Sequence, residues 1–170
     1  MSSAPARLPP SRRPSIFHMT CADLARKPER LLQSSTSIQE ALHALLDLRQ
    51  RSLPVVSEDG ALIGLFGVHH LLDLLRPEGS HQEDLHSALF LHDRVEDLAR
   101  RLRVDLNKTV AEFMDKEPKA VHGDAAASEA VLMLDEGHDS LPVVDSENQR
   151  LLGIITYWDI LAKVSSLLAE

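Results

Sequence analysis

Apolar residues recur with a helical period in two separate stretches of the chain. The first stretch spans residues 36–49, and its apolar positions are Ile38, Ala41, Leu42, Leu45 and Leu48. The second follows Asp124, and its apolar positions are Ala127, Ala130, Val131 and Leu134. Steps of three and four residues predict two amphipathic helices. Ser35 or Thr36 is expected to cap the first helix. Gln39 or Glu40 would complete its capping box.

A short strand is predicted after each helix, within Ser52–Val56 and within Ser140–Val144, because both contain Leu-Pro-Val-Val. Proline is expected only at the strand entry, where the sheet loses no hydrogen bond. A turn and a second apolar strand follow in each case, which predicts a β-hairpin. The second strands are Ala61–Phe66 and Arg150–Ile155, the closing helices are Leu71–Leu75 and Trp158–Leu168, and the opening strands are Arg30–Gln33 and Lys119–His122.

These elements form two copies of one unit, because four landmarks recur in the same order. The offsets from Thr20 to Thr109, Glu40 to Glu129, Ser52 to Ser140 and Gly64 to Gly153 are 89, 89, 88 and 89 residues. Each copy reads strand, helix, strand, strand, helix. A unit that occurs twice predicts two copies that bury one face against each other.

Two further segments lie outside the copies. Residues 1–16 hold four prolines and three arginines and no acid, which predicts a disordered tail; an Arg-rich transit peptide is the alternative. The segment 76–108 is rich in charge, and its apolar residues at helical spacing predict one or two helices that pack on the core. A partner-binding helix is the alternative there. These helical positions are Leu85, Ala88, Leu89, Val95, Leu98, Ala99 and Leu102. The expected domains are a tail (1–16), a first repeat (17–76), a helical connector (77–106) and a second repeat (107–170).

Composition narrows the function classes. The 18 lysines and arginines against 26 aspartates and glutamates give a net charge of −8, which argues against nucleic-acid binding and against docking on an anionic membrane. The one cysteine, Cys21, allows no intrachain disulfide. No apolar run reaches the ~18 residues of a membrane span, and no secretory signal is evident, so we expect a cytoplasmic protein. The spacings of the histidines between His69 and His92 do not fit a metal site.

The segment from Gly153 to Asp159 is the strongest candidate for chemistry. It combines a strand end, a helix start, the hydroxyl of Thr156 and a carboxylate three residues later. A helix N-terminus favours a phosphate, and a carboxylate can accept hydrogen bonds from a ribose diol. The same Thr-x-x-Asp spacing is also that of an ordinary helix cap. Spacing alone leaves both interpretations open.

The repeated Leu-Pro-Val-Val strand, the hairpin and the Gly-Ile-Ile-Thr-x-x-Asp segment resemble the CBS domain, named after cystathionine β-synthase. The resemblance covers residues 17–76 and 107–168, and two copies in tandem resemble a CBS pair, or Bateman module. It implies an α/β (α+β) fold of two β-α-β-β-α repeats that pack sheet to sheet with pseudo-twofold symmetry. It also implies a regulatory protein whose cleft binds an adenosine compound such as AMP, ADP or ATP, and which pairs into homodimers.

The resemblance assigns the ligand site mainly to the second repeat. Thr156 matches the family's hydroxyl near the phosphate, and Asp159 matches the carboxylate that takes the ribose hydroxyls. Arg51 occupies a position where the family often places a phosphate-contacting cation, although a solvated surface cation is the plainer interpretation. The family also implies an apolar cover over the base and a segment lining the cleft, namely Ala120, Val121, His138, Asp139, Ser140, Leu141 and Pro142.

The first repeat departs from this pattern, because Gly67 stands in the hydroxyl position and His70 in the carboxylate position. Glycine has no hydroxyl, and a neutral imidazole cannot accept two hydrogen bonds. We therefore expect one strong site and one vacant or altered site. The expected function is a stand-alone sensor of an adenine nucleotide, with no obligatory cofactor, no catalysis and an unidentified regulated partner. The alternative is a ligand-free CBS pair that serves as a dimerisation or docking module.

Overall fold

We describe residues 19–77, 93–135 and 138–169 from a computed structural model of the protein. The predicted tail and residues 78–92 of the connector, with Leu85, Ala88 and Leu89, lie outside these ranges. The helices are α1 (Cys21–Leu24), α2 (Ile38–Leu48), α3 (Val68–Leu75), α4 (Val95–Asp105), α5 (Ala127–Asp135) and α6 (Tyr157–Leu168), and the strands are β1 (Leu32–Gln33), β2 (Ser52–Val56), β3 (Leu62–Gly67), β4 (Val121–His122), β5 (Ser140–Val144) and β6 (Leu151–Thr156).

The first amphipathic helix, α2, is capped one or two residues later than predicted. Ser37 is the cap, because its Oγ accepts a hydrogen bond from the backbone N–H of Glu40 at 3.2 Å. The Glu40 carboxylate accepts from the N–H of Ser37 at 3.2 Å and closes the box. The prediction of Ser35 or Thr36 as the cap is wrong. The Thr36 hydroxyl instead accepts a hydrogen bond from the N–H of Gln33 in the preceding turn.

Each repeat contributes one three-stranded sheet, ordered β1-β2-β3 in the first and β4-β5-β6 in the second. The opening strand runs parallel to the central strand, and the hairpin pairs the central strand with the third in antiparallel fashion. The registers are equivalent, since Ser52 lies opposite Gly67 and Ser140 lies opposite Thr156. The predicted duplication and the mixed α/β fold are confirmed.

Proline occupies the middle of both central strands rather than their entry. Pro54 is the third residue of β2, and Pro142 is the third of β5. Leu65, opposite Pro54, exchanges both of its backbone hydrogen bonds with Asp115, at 3.0 Å each. On the other edge, β1 pairs with β2 only from Val55 onward. The missing N–H of the proline therefore leaves no sheet hydrogen bond unmade.

In each repeat, a leading segment precedes the first strand, β1 or β4, and packs on the sheet of the other repeat. Arg26 forms an antiparallel bridge with β6, and the equivalent Asp115 forms one with β3. Cys21 is fully buried in the core of the second repeat, and Val110 is fully buried in the core of the first. The core of each repeat is therefore completed by the leading segment of the other repeat.

The two repeats differ in what covers their helices. Helix α4 packs on α3, and Leu102 and Leu106 pack against the first core. The described residues supply no equivalent helix to the second repeat. Two predicted members of the apolar stripes are exposed instead: Val95 of α4 is 77% exposed and Val131 of α5 is 47% exposed. Within the described ranges, no helix has the length and apolarity to cross a membrane.

Candidate functional site

Helix α6 begins directly where β6 ends, and a glycine lets the chain's leading segment reach this point. A Cβ on Gly153 would lie 2.7 Å from the carbonyl oxygen of Arg26 and 2.9 Å from Cβ of Ala25. The backbone N–H of Arg26 donates to the carbonyl of Ile154 at 3.0 Å. Gly153 therefore permits a close backbone approach that places Arg26 beside the first turn of α6.

Thr156 and Asp159 form a complete capping box at this turn. The Oδ2 atom of Asp159 accepts from the backbone N–H and from the hydroxyl of Thr156, at 2.7 Å each. The Thr156 hydroxyl oxygen in turn accepts from the N–H of Asp159 at 3.4 Å. The capping interpretation of this segment is confirmed. It holds the carboxylate in a fixed orientation and leaves Oδ1 without a bond to the cap.

Arg26 supplies the partner that sequence reasoning missed. Its Nε donates to Oδ2 of Asp159 at 3.3 Å and lies 3.2 Å from Oδ1, and the two side chains are 33% and 20% exposed. The residues are separated by 133 positions, so no local pattern joins them. The repeat offset could have pointed to this position, because Arg26 and Asp115 stand 89 residues apart. In the structure each of the two forms an antiparallel bridge with the third strand of the other repeat.

A cavity of about 220 Å³ opens between the two repeats at this point. It brings together five of the predicted site residues: Arg51, Asp139, Ser140, Thr156 and Asp159. Its remaining walls are Arg26, Arg49, Gln50, Ser52, Tyr157 and Trp158. Sequence reasoning did not select Arg26, Arg49 or Gln50. The cavity therefore combines cations and a hydroxyl that can contact a phosphate with a carboxylate that can accept hydrogen bonds from a sugar.

Five other predicted site residues do not line this cavity. Val121, Leu141 and Pro142 are buried, and the first two belong to the second core. Ala120 and His138 are only partly buried. Val121 and Leu141 fill the core of the second repeat, so their side chains do not face the cavity.

The two repeats meet at the cavity through residues in equivalent positions. The hydroxyls of Ser52 and Ser140 are 3.0 Å apart. Beside them, Nη1 of Arg51 lies 2.9 Å from Oδ1 of Asp139, with the two side chains 69% and 41% exposed. An exposed pair of this kind contributes at most about 1 kcal/mol to stability. Both groups can therefore exchange this contact for one with a ligand.

The corresponding point of the first repeat has a different chemistry. A Cβ on Gly67 would lie 2.5 Å from the carbonyl oxygen of Arg51, so the backbone has closed over the space that a threonine needs. Nδ1 of His70 accepts from the N–H of Gly67 at 3.0 Å. Burial lowers the pKa of His70, and neighbouring His69 lowers this pKa further. Asp115 and Asp73 oppose that shift.

A neutral imidazole thus replaces the carboxylate as the capping partner in the first repeat. Among the described residues, no group of three or more histidine, cysteine or acidic side chains could hold a metal ion. His81, His86 and His92 lie outside the described ranges.

Comparison with known proteins gives the family. The family model for the CBS domain matches residues 21–77 and again residues 110–166. The chain belongs to the CBS-domain family. It carries a CBS pair, and the two matches fall on the two structural repeats.

The chain is similar to named plant proteins and to a solved CBS-pair structure. CBSX1 of Arabidopsis thaliana, named a chloroplastic protein, is 30% identical over 146 residues, which cover 81% of this chain and 60% of CBSX1. The chain therefore spans about 60% of the length of that relative. The crystal structure of CBSX2 from the same plant has a TM-score of 0.70 at 22% identity and covers 89% of this chain and 98% of that chain.

Two further solved structures hold ligands. CBSX2 in complex with AMP has a TM-score of 0.63 at 23% identity and covers 87% of this chain and 97% of that chain. The CBS domain pair of protein MJ0100, in complex with 5′-methylthioadenosine and S-adenosylmethionine, has a TM-score of 0.57 at 24% identity and covers 87% and 97% of the two chains.

Proposed function

We propose that this CBS pair is a non-catalytic regulatory sensor that binds an adenosine-containing ligand of the AMP, ADP or ATP class between its repeats. The observation that carries the proposal is the cavity in which Thr156, Asp159 and Arg51 converge from both repeats. The AMP complex of CBSX2 and the adenosine-compound complex of MJ0100 support the ligand class.

The cap geometry suggests how the ribose is recognised. Oδ2 of Asp159 accepts from both Thr156 donors and from Nε of Arg26, whereas Oδ1 lies 3.2 Å from the same nitrogen and takes no bond from the cap. A ribose hydroxyl that donates to Oδ1 replaces the guanidinium, and Arg26 is then free to turn toward a phosphate. The exchange keeps both charges partnered, which avoids the penalty of an unpaired half-buried ion.

The phosphate is expected near Thr156 and Arg51, because the start of α6 presents backbone N–H groups there. Ser140 and Asp139 would border the same end of the ligand from the other side of the cavity. Ala120, Val121, His138, Leu141 and Pro142 are proposed to shape the base end through their backbone groups. The cavity is smaller than the 300 Å³ or more of a typical ligand pocket, so the ligand would extend beyond its mouth.

Binding of this kind acts as a sensor because the ligand touches both repeats. A ligand present at 100 times its Kd stabilises the folded state by about 2.7 kcal/mol. The regulated partner would read this change in the coupling of the repeats. A cytoplasmic location stays a prediction, and the Arabidopsis relatives CBSX1 and CBSX2 are named chloroplastic.

A thermal-shift panel tests the proposal. The purified protein is heated with AMP, ADP, ATP, adenosine and S-adenosylmethionine, with guanosine as the matched control. We expect at least one adenosine compound to raise Tm while guanosine does not. Mass spectrometry of small molecules released from the purified protein gives an independent readout. If no adenosine compound shifts Tm and none is released, the proposal is wrong.

A dimerisation module is the second candidate, because helices α5 and α6 leave an apolar surface uncovered. The side chains of Leu161, Val164 and Leu168 are 56%, 47% and 83% exposed, and Leu132 is 67% exposed. We expect a homodimer in light scattering that Leu161→Lys converts to a monomer, with Leu46→Lys on the first repeat as the matched control. A monomeric wild-type protein would argue against this candidate.

A further inference from the structure

Two equivalent positions of the repeats carry opposite charges at and beside the cavity. Two of the cavity's cations, Arg26 and Arg51, correspond to Asp115 and Asp139 in the other repeat, at offsets of 89 and 88 residues. Contacts in the structure support both correspondences. Arg26 pairs with β6 as Asp115 pairs with β3, and the serines that follow Arg51 and Asp139 contact each other. The repeats therefore share positions but invert the charge there.

A third cation has no carboxylate partner. Arg49 lines the cavity and makes no ion pair within the described residues. Its backbone ends α2 in the left-handed conformation, with φ 53° and ψ 32°. Glycine or asparagine is the usual residue at such a helix end. A guanidinium is thus held at the cavity in a backbone position that disfavours its side chain.

The cavity is cationic within an acidic protein. Three guanidiniums, those of Arg26, Arg49 and Arg51, face two carboxylates, those of Asp139 and Asp159, so the walls carry a net charge of +1 in a chain of −8. A neutral nucleoside can bond Asp159 through its ribose but gains no charge pairing from the three guanidiniums, which repel a sulfonium ligand. Several phosphates would satisfy all three.

We propose that the cavity selects a nucleoside di- or triphosphate and that each chain binds one such ligand. The proposal rests on the proposed function of this same cavity. The equivalent point of the first repeat rejects phosphates for three reasons: Gly67 has no room for a hydroxyl-bearing side chain, His70 already accepts the bond of its cap, and the nearby carboxylate of Asp115 repels anions.

Isothermal titration in magnesium-free buffer tests the selectivity. ATP, ADP, adenosine and S-adenosylmethionine are titrated at 50 and 300 mM NaCl. We expect ATP and ADP to bind about tenfold or more tightly than adenosine, with one ligand per chain. Raising the salt should weaken ATP binding about threefold and leave adenosine unchanged, because salt screens exposed charges.

A variant of Arg49 separates the effect of its charge on ligand binding from any effect on the stability of the fold. Arg49→Asn removes the guanidinium and suits the left-handed backbone, so we expect its Tm to equal or exceed that of the wild type. ATP affinity should fall about fivefold while adenosine affinity does not change. Arg103→Gln on α4, which removes an exposed cation outside the cavity, is the matched control and should alter neither affinity.

The outcomes distinguish the two proposals. Adenosine or S-adenosylmethionine binding as tightly as ATP, two ATP molecules per chain, or unchanged ATP affinity in Arg49→Asn would each overturn the charge selectivity and leave the adenosine sensor standing. Binding of none of the four compounds would overturn both.

Discussion

Replacement of Thr156 by alanine separates its role in the helix cap from its role in the ligand site. The change deletes the hydroxyl that contacts Asp159 at 2.7 and 3.4 Å but keeps the backbone N–H bond to the same carboxylate. Loss of a cap side chain costs about 1 kcal/mol. For a chain of this size, that corresponds to a fall in Tm of about 2–4 °C. Ser37→Ala removes the equivalent hydroxyl from α2 and should lower Tm by a similar amount.

The ligand response should differ between these two variants. If the Thr156 hydroxyl also bonds the ligand, its loss removes about 1 kcal/mol of binding and raises Kd about fivefold. At a ligand concentration of 100 times the wild-type Kd, the stabilisation then falls from about 2.7 to about 1.8 kcal/mol. The ligand-induced rise in Tm should shrink by about 2–4 °C in Thr156→Ala. It should be unchanged in Ser37→Ala, which lies outside the cavity.

Scanning fluorimetry with the best ligand of the panel measures both effects in one experiment. Thr156→Ser retains a hydroxyl and should recover both the baseline Tm and the ligand response. An equal ligand response in Thr156→Ala, Ser37→Ala and the wild type would show that the hydroxyl serves only the cap. The assignment of Thr156 to the ligand site would then be refuted.

Two further predictions concern glycine and histidine at the equivalent turns. Gly153→Ala places a Cβ within 2.7 Å of the Arg26 carbonyl, so we expect a loss of about 1–3 kcal/mol in urea unfolding, and a wild-type midpoint would contradict the close packing. Folding lowers the pKa of His70 below its ordinary value of 6.5. As the pH falls below 6.5, this histidine therefore takes up a proton in the unfolded chain before it does so in the folded protein. Stability should therefore be full above pH 6.5 and fall as the pH drops toward the folded-state pKa. Unfolding at pH 7.0 and 5.5 checks this, and His70→Asn, which does not titrate, should show a smaller difference between the two pH values.

The strands and hairpins could be predicted from the sequence because their signals are local and occur twice. Each Leu-Pro-Val-Val run is a buried strand in the structure, and each following apolar run is its hairpin partner. A pattern that appears once could be a helix or a strand. Two copies at nearly one offset exclude chance, and they also exclude an assignment that fits only one copy.

The wrong predictions have two causes. Several neighbouring residues can satisfy the same capping rule, and the burial of a helix face depends on a segment distant in sequence. Ser35, Thr36 and Ser37 are all good caps, and only the hydrogen bond from Glu40 selects the third. Apolar spacing placed Val131 on the inner stripe of α5. Whether such a stripe is covered depends on a neighbouring element, and α4 covers only the first repeat.

Arg26 shows why the candidate site could be predicted only in part. The family resemblance selected residues mainly in the second repeat, and five of the selected residues, including Arg51 of the first repeat, line the cavity. The cation that pairs with Asp159 comes from the segment that precedes β1, because the leading segments of the two repeats are exchanged. Local periodicity carries no information on that exchange, since either partner sheet would bury Cys21 and Val110 equally well.

The exchange also bears on how a cap could serve the proposed sensor. Asp159 bonds the start of its own helix through Oδ2, and both of its oxygens lie within 3.3 Å of Nε of Arg26 from the other repeat's leading segment. A ligand hydroxyl that donates to Oδ1 would compete with Arg26 for Asp159 and leave the Thr156 bonds that cap α6 in place. In the first repeat, Nδ1 of His70 accepts the hydrogen bond of the cap. The equivalent turn therefore caps α3, but its imidazole has no second acceptor atom for a ligand. Duplication of the fold thus provides two structural turns, and the charged residues that reach them from the opposite repeat favour only the second turn for the proposed ligand site.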